Sequence, residues 1–300
     1  MIVASDLLFS TLSGKNKVNP RFGDGPHRPS QAGLLSRGKV ILGFTDYHSH
    51  ILPALDDGSN DVLESLRMAS ILAEAGFSTV HCTPHRLVGA FEATPAQVVE
   101  QVATLQRSVD AADIPLQLLP GMEYYLDEFL MFNLQSPLPL GNSGLLLIEA
   151  PLQAIPPSLV HSLRQVRATG VTPLIAHPER CQVFFIPEGK GPATPRLSLR
   201  QALGGLLPGS GPRPAAVQPN TPLLDRLREM GCRFQADIAS FSGGFGVEVQ
   251  RRAMALLKMG VYTQLGSDAH RAKGLAETLR RGLLAIEEAA GKEALELLLK

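Results

Sequence analysis

The chain has 300 residues, of which 44% are hydrophobic, and its 28 basic and 28 acidic side chains give a formal net charge of zero. This length suffices for one large α/β domain or two small ones with a sizeable core. The balanced charge gives no reason to expect nucleic acid or an anionic membrane as the main partner. No apolar run reaches the roughly 18 residues of a spanning helix, so we expect no direct membrane insertion. The cysteines lack CxxC spacing, which favours a reducing, cytoplasmic setting.

Two stretches of the chain have the composition of irregular segments. Residues 1–37 are rich in Gly, Pro, Ser, Lys and Arg without sustained periodicity, which predicts a flexible N-terminal extension. Residues 38–300 are predicted to form the folded domain. Within it, a Pro/Gly-rich stretch at about 186–220 predicts a long insertion, with one short helix around Leu199–Leu206.

From residue 39 onward, short apolar runs alternate with stretches of helical period, as strands alternate with helices around a parallel sheet. The candidate strands are 39–47, 78–83, 116–123, 144–150, 172–177, 232–238 and 262–268. The candidate helices are Asp61–Glu74, Pro95–Ala111, Pro157–Thr169, Thr221–Met230, Val247–Lys258 and one near Leu275–Leu299. Seven candidate strands alternating with helices predict a (β/α) barrel one strand short of the usual eight, with an open doubly wound sheet as the alternative. No GxGxxG or GxxxxGK[ST] loop supports nucleotide binding.

Side chains of metal-binding type stand at the carboxyl ends of six of these strands. In chain order they are His48 and His50, His85, Glu123, Glu149, His177, and Asp268 with His270. In a parallel barrel these ends face one mouth, where such folds carry their chemistry. A carboxylate such as Glu149, at the end of the apolar run LLLIEA, is costly unless a cation compensates it. A single histidine here would more often be structural, but the joint pattern predicts a metal site.

The spacing and the ligand types indicate what this site binds. His48 and His50 lie two residues apart at a strand end, so both rings point to the same side, and Asp268 and His270 repeat this arrangement. Imidazole together with carboxylate suits Mn, Fe or Zn. Eight or nine ligands exceed what one ion needs, so we expect two or three ions, with Glu149 as a bridge near the centre.

The sequence lacks the motifs that two other classes of phosphatase and hydrolase need. No cysteine is followed six positions later by the arginine that a cysteine phosphatase needs, and there is no GxSxG nucleophile elbow. His81, which alternates with Cys82 inside a candidate strand, is expected to be structural.

Six motifs occur in a fixed order between about residues 44 and 275: HSHILPALDDG, TPHRLVGAFE, GMEYYL, LIEAP, AHPER and GSDAH. Together they resemble the PHP (polymerase and histidinol phosphatase) superfamily, and more closely its bacterial protein-tyrosine phosphatases of capsular and exopolysaccharide synthesis. The resemblance implies a distorted (β/α)7 barrel of the PHP type with a trinuclear centre of divalent ions, usually manganese.

The resemblance also implies roles for individual residues. His48, His50, Glu149 and Asp268 would hold one ion, His85, His177 and Glu149 a second, and Asp57, Glu123 and His270 a third. Arg180, in HPER, would contact the substrate phosphate, and the implied catalytic set is Arg180 with His48, His50 and Glu149. We further expect Asp46 to support a histidine from behind, and Asp56 and Gly58 to shape the loop after the first strand.

The implied reaction is hydrolysis of phosphotyrosine by a metal-activated hydroxide. Its substrate would be the phosphorylated tail of a bacterial tyrosine kinase that governs polysaccharide export, with residues 86–92 as a candidate rim for the peptide. The alternatives are a small-molecule phosphatase, such as a histidinol-phosphate phosphatase, and a non-catalytic PHP binding module. An amidohydrolase is disfavoured because Glu149 stands where that class has a bridging lysine. Members of the family usually carry a second phosphate-binding arginine several residues after the DxH pair. In this sequence Leu275 occupies that region, and the nearest basic residues are Arg271 and Lys273.

Overall fold

The computed structural model describes residues 43–153, 158–185 and 218–300. The expectations for the extension 1–37, for the helix at 199–206 and for most of the 186–220 insertion fall outside the described residues. The same holds for the start of the first candidate strand and for Pro157.

The described residues form nine strands, and all neighbouring strands pair in parallel. They are β1 Phe44–Ser49, β2 Phe77–Cys82, β3 His85–Arg86, β4 Gln117–Pro120, β5 Glu123–Tyr125, β6 Leu145–Glu149, β7 Thr172–Ala176, β8 Arg233–Asp237 and β9 Gln264–Gly266. One sheet has the order β1-β2-β4, and the other has the order β3-β5-β6-β7-β8-β9.

The two sheets are parts of one barrel. Its nine strands occupy seven positions around the ring, because β3 continues the line of β2 and β5 continues that of β4. Backbone hydrogen bonds cross both breaks, from Gly121 N to Cys82 O at 3.0 Å and from Glu123 N to Pro84 O at 3.1 Å. After β9 the ring closes on β1 through a parallel bridge between Ser49 and Ala269. The predicted distorted α/β barrel is therefore confirmed.

Helices pack outside the strands and bury their apolar faces against them. They are α1 Val62–Glu74, α2 Pro95–Ala111, α3 Leu130–Asn133, α4 Leu159–Ala168, α5 Thr221–Glu229, α6 Ile238–Ser242, α7 Val247–Lys258, α8 Leu275–Ala290 and α9 Lys292–Leu298. Asp61 caps α1 by accepting from Glu64 N, and Thr94 and Gln97 form a capping box at α2. None of the helices in the described ranges is long and apolar enough to cross a membrane.

Two elements predicted as continuous are each divided into two in the structure. The candidate strand 116–123 is broken, because Pro120 has no N–H to continue the ladder and Gly121 passes so close to Leu140 that a Cβ there would lie 2.6 Å from Leu140 Cδ2. Glu123 therefore begins a new strand instead of ending one. The final candidate helix is broken at Gly291, whose φ of 87° lies outside the helical region.

The interior of the barrel is apolar below the mouth. This inner cluster consists of Tyr47, Leu140, Leu145, Leu147, Leu174 and Ala176. The ring of Tyr47 stacks on His81 with centroids 5.4 Å apart. Along β6, Glu149 follows Leu147 on the same face, so the charged mouth begins one layer above this cluster.

Candidate metal centre

The structure brings all nine side chains predicted as metal ligands together at the carboxyl end of the barrel. Their donor atoms form four overlapping groups, within each of which the atoms lie within 4.8 Å of one another: His48, His50 and Asp268; His48, Glu123 and His177; His85, Glu123 and Glu149; and His50, Asp57, His85 and His270. Because three histidines and Glu123 each belong to two groups, the groups share ligands and form one continuous centre.

Glu123 occupies the middle of this centre, where the sequence led us to expect Glu149. Its carboxylate oxygens lie 2.9 Å from His85 Nδ1, 3.2 Å from His48 Nε2, 3.4 Å from His50 Nε2 and 3.3 Å from His177 Nε2. The shortest approaches of Glu149 to histidine nitrogens are longer, 3.8 Å to His177 and 3.9 Å to His85. Glu123 begins β5 and its side chain is fully buried, whereas Glu149 ends β6 and keeps 12% of its side chain exposed.

The ring tautomers of His48 and His50 are fixed from behind. The Gln235 amide donates to Ala236 O at 2.6 Å, which leaves its Oε1 to accept from His48 Nδ1 at 3.0 Å. Asp56 Oδ2 accepts from His50 Nδ1 at 2.6 Å. In the neutral rings both Nε2 atoms then carry lone pairs, and they face one another at 3.0 Å. Two lone pairs at that distance repel unless a cation lies between them, so these residues fit a bound metal ion.

Electrostatics in the centre also favour added positive charge. Burial alone would lower the pKa of His48, but the charges of Glu123 and Asp268 outweigh it and raise the pKa to about 9. Burial would raise the pKa of Glu123, yet His48 and His85 hold it well below its usual range. Burial, together with the charge of Glu123, raises the pKa of Glu149 to about 7. The carboxylates therefore draw positive charge to the His48 ring, as ligands of a cation do, whereas burial and the charge of Arg180 lower the pKa of His177 to about 4.

Backbone geometry aims two of the ligands. His177 and Asp268, which follow β7 and β9, have φ values of 28° and 47°, a region that non-glycine residues rarely adopt. Asp46 Oδ1 accepts from the backbone N–H groups of His48 and Ser267 at 3.1 and 2.8 Å. Asp46 thus holds the backbone of the His48 strand against β9, and does not bond the imidazole ring.

Arg180 lies in a 3-10 turn directly after β7 and reaches the mouth. Its Nη1 lies 2.5 Å from Asp268 Oδ2 and 3.6 Å from Asp237 Oδ2. The ring of Phe245 covers the guanidinium, with the Arg180 Cζ atom 4.4 Å from the ring centroid. The side chain keeps 18% of its surface exposed.

Several residues of the centre escaped the sequence reasoning. Asp237 ends β8 and is the second-last residue of the candidate strand 232–238, so its position was a usable signal and completes the set of seven strand ends. Gln235 gave no such signal, because an amide is not a typical metal ligand. Asp56 was expected only to shape its loop, but it also orients His50 and accepts from His85 N at 3.0 Å.

The loop after β1 is held close to the histidines. A Cβ on Gly58 would lie 2.1 Å from His50 O, so only glycine fits this close approach. Arg271 Nη1 donates to the backbone oxygens of Asp57 and Gly58. This arginine, one of the two nearest to the family's second phosphate-binding position, therefore clamps the loop. Asp57, with 55% of its side chain exposed, and His270 mark the open side of the centre.

The chain matches the family described as capsular polysaccharide synthesis, CpsB/CapC, over residues 44–186 and 213–300. Tyrosine-protein phosphatase YwqE of Bacillus subtilis is 28% identical over 250 residues, which cover 83% of this chain and 85% of that protein. The putative tyrosine-protein phosphatase CapC of Staphylococcus aureus is 22% identical over 76% of this chain and 77% of its own length.

A solved structure supports the same similarity. It comes from work on YwqE of Bacillus subtilis and CpsB of Streptococcus pneumoniae, described as metal-dependent tyrosine phosphatases. It superposes with a TM-score of 0.68 at 28% identity and covers 85% of this chain and 90% of the other. The residues matched by the family include β1 to β9, the whole ring of strands that carries the centre.

Proposed function

The chain belongs to the CpsB/CapC family of capsular polysaccharide synthesis, and we propose that it is a metal-dependent protein-tyrosine phosphatase. One observation carries the proposal: the Nε2 atoms of His48 and His50 face one another beside the buried carboxylate of Glu123. The similarity to YwqE, whose name states the same activity, supports it.

The proposed centre holds two or three divalent ions, with Mn²⁺ favoured over Fe or Zn. The proposed ligands are His48, His50, Asp57, His85, Glu123, Glu149, His177, Asp268 and His270. Imidazole nitrogen and carboxylate oxygen in these proportions suit borderline divalent ions. The short contacts favour Glu123 as the shared carboxylate. When bound, such ions supply positive charge for the phosphate oxygens and activate water as the nucleophile at neutral pH.

The other residues of the proposed site position these groups and the substrate. Gln235 and Asp56 hold the rings of His48 and His50 so that Nε2 points into the centre. Arg180 offers a planar guanidinium that binds one phosphate oxygen, and Asp268 orients it. Hydrolysis then needs no covalent attachment of phosphate to the protein, which agrees with the burial of all three cysteines.

The proposed substrate is the phosphotyrosine tail of a bacterial tyrosine kinase of polysaccharide synthesis, and the proposed setting is the cytoplasm. Residues 86–92 are the proposed rim for the peptide. They contain a tight turn in which Leu87 and Phe91 exchange backbone hydrogen bonds of 2.9 and 2.8 Å. The turn adjoins His85, whose ring stacks on Phe91, so a peptide lying on it would border the centre.

The test compares substrates and metal states of the purified protein. We expect cleavage of a phosphotyrosine peptide, loss of cleavage after chelation, and recovery with Mn²⁺. Glu123→Gln should abolish activity and metal uptake, whereas Glu277→Gln, an exposed carboxylate paired with Arg280, should change neither. Full activity in the metal-free protein would refute the mechanism. Better turnover of histidinol phosphate would indicate a small-molecule phosphatase, and inactivity on both substrates would indicate a binding module.

A further inference from the structure

Phe245 is a large apolar side chain at the tip of an exposed turn. The turn is closed by a hydrogen bond from Gly246 N to Gly243 O at 3.0 Å, and both glycines have positive φ. Phe245 leaves 44% of its surface exposed. A phenyl ring that leaves 44% of its surface in water forgoes a large part of the stability that burial would give, so its position invites a role in binding.

This ring lies next to the group proposed to bind phosphate. Phe245 packs over the Arg180 guanidinium at 4.4 Å, and Arg180 Nη1 lies 2.5 Å from Asp268 Oδ2. The other Asp268 oxygen lies 3.3 Å from His48 Nε2 and 3.2 Å from His50 Nε2. The exposed ring is thus two contacts away from the metal-binding atoms.

We propose that Phe245 is a specificity-determining residue, whose ring packs against the phenyl ring of phosphotyrosine while Arg180 holds the phosphate. The inference rests on the proposed function and deepens it. In phosphotyrosine a single oxygen joins the phosphate to an aromatic ring, so its receptor needs a cation and an aromatic surface side by side. Arg180 and Phe245 provide that pair. An alkyl phosphate such as phosphoserine would engage only the cation.

Phe91 is another aromatic side chain beside the centre, and its situation is different. Its ring stacks nearly flat on His85, with centroids 5.4 Å apart and an interplanar angle of 18°. It follows β3, which lies across the ring of strands from β8 and from the turn that carries Phe245. Since Phe91 covers a proposed metal ligand, we assign the contact with the substrate ring to Phe245.

The experiment measures binding of two ligands to the metal-loaded protein by calorimetry. Inorganic phosphate probes the cation alone, and phenylphosphonate adds the aromatic ring. Phe245→Ala should weaken phenylphosphonate about three- to tenfold, the usual value of an aromatic contact, while phosphate changes less than about twofold. Phe245→Leu, which keeps an apolar side chain, should give an intermediate loss. Leu297→Ala, an exposed apolar residue on α9, should leave both affinities unchanged.

Kinetics add a second readout. For a phosphotyrosine peptide, Phe245→Ala should raise KM by a similar factor with little change in kcat, as expected for a contact made equally in ground and transition states. Equal weakening of both ligands would mean that the ring only positions Arg180, and would overturn the inference. Unchanged binding of both would overturn it too. An inactive wild type that still prefers phenylphosphonate would refute the phosphatase proposal alone.

Discussion

Strands β1 and β2 each bury a histidine, and the two have opposite properties. His81 is 4% exposed, stacks on Tyr47, and has its pKa lowered to about 4 by burial. His48 is fully buried, yet Glu123 and Asp268 raise its pKa to about 9 against the effect of burial. Burial alone thus gives a neutral structural histidine. The proposed ligand differs because carboxylates from other strands converge on it.

Depth along the barrel separates the two environments. His81 belongs with Tyr47 and the apolar layer that contains Leu147. Glu149, two residues beyond Leu147, already lies at the charged mouth. The apolar packing layer and the proposed metal centre are therefore adjacent layers of side chains. Substitutions in the apolar layer should affect stability, and substitutions in the layer above it should affect activity and metal content.

The largest expected effect compares His48→Ala with His81→Ala. Loss of a proposed ligand should lower kcat/KM about 100-fold or more and reduce the metal content. His81→Ala should keep activity within about twofold but lower the free energy of unfolding by about 2 kcal/mol, because it opens a cavity beside Tyr47. Kinetics, metal analysis and thermal unfolding measure the three quantities. Equal losses of activity in the two variants would contradict the distinction.

The second prediction concerns acid. Burial lowers the pKa of His81 to about 4 from an ordinary 6.5. Between these pH values the imidazole is therefore protonated in the unfolded chain and neutral in the folded protein. Its contribution to stability is thus complete above pH 6.5 and falls as pH drops toward 4, by about 3 kcal/mol. Denaturant unfolding across this range should show a steeper fall for the wild type than for His81→Gln. Parallel curves would show that His81 is not held neutral.

The third prediction tests the support behind His50. Asp56→Asn weakens the hydrogen bond at 2.6 Å to His50 Nδ1 and with it the control of the ring tautomer. We expect a 10- to 100-fold loss of metal affinity, about the usual effect of such supporting residues. Metal titration monitored by activity measures it. Asp225→Asn, an exposed residue of α5, is the control, and an equal loss there would rule out a specific role for Asp56.

The smallest expected effect lies in the apolar layer. Tyr47→Leu removes the aromatic partner of His81 and should cost about 1 kcal/mol of unfolding free energy. Metal content and kcat/KM should stay at wild-type values, because the layer above is untouched. A loss of bound metal in this variant would show that the two layers are coupled.

Local sequence signals predicted the strands of the barrel and eight of the nine candidate ligands, with Asp57 named only through the family resemblance, and they failed where long-range packing decides. His48, His50 and Asp268 stand at strand ends that period and punctuation reveal. The central place of Glu123 shows only in its contacts with His48, His50 and His177, which lie at the ends of other strands. The secondary-structure propensities of single residues do not predict such a contact.

Other partners are distant in the chain. Gln235 orients His48 across 187 positions, and nothing in a single sequence pairs an amide with a histidine so far away. Phe245 stands in a Gly-rich turn between the candidate strand 232–238 and the candidate helix Val247–Lys258, and no sequence pattern assigned it a role. Its contact with Arg180 exists because the ends of β7 and β8 are neighbours in the folded sheet.

The bond between Asp46 and Ser267, which joins β1 to β9, spans 221 positions of the chain. Contacts of such long sequence separation form slowly, because most of the intervening chain must first be ordered. During folding, His48 and His50 come into contact with Asp268 only when the ring of strands closes. Tight binding of an ion should therefore appear only with the last folding phase, and its rate in a refolding experiment would time the closure of the barrel.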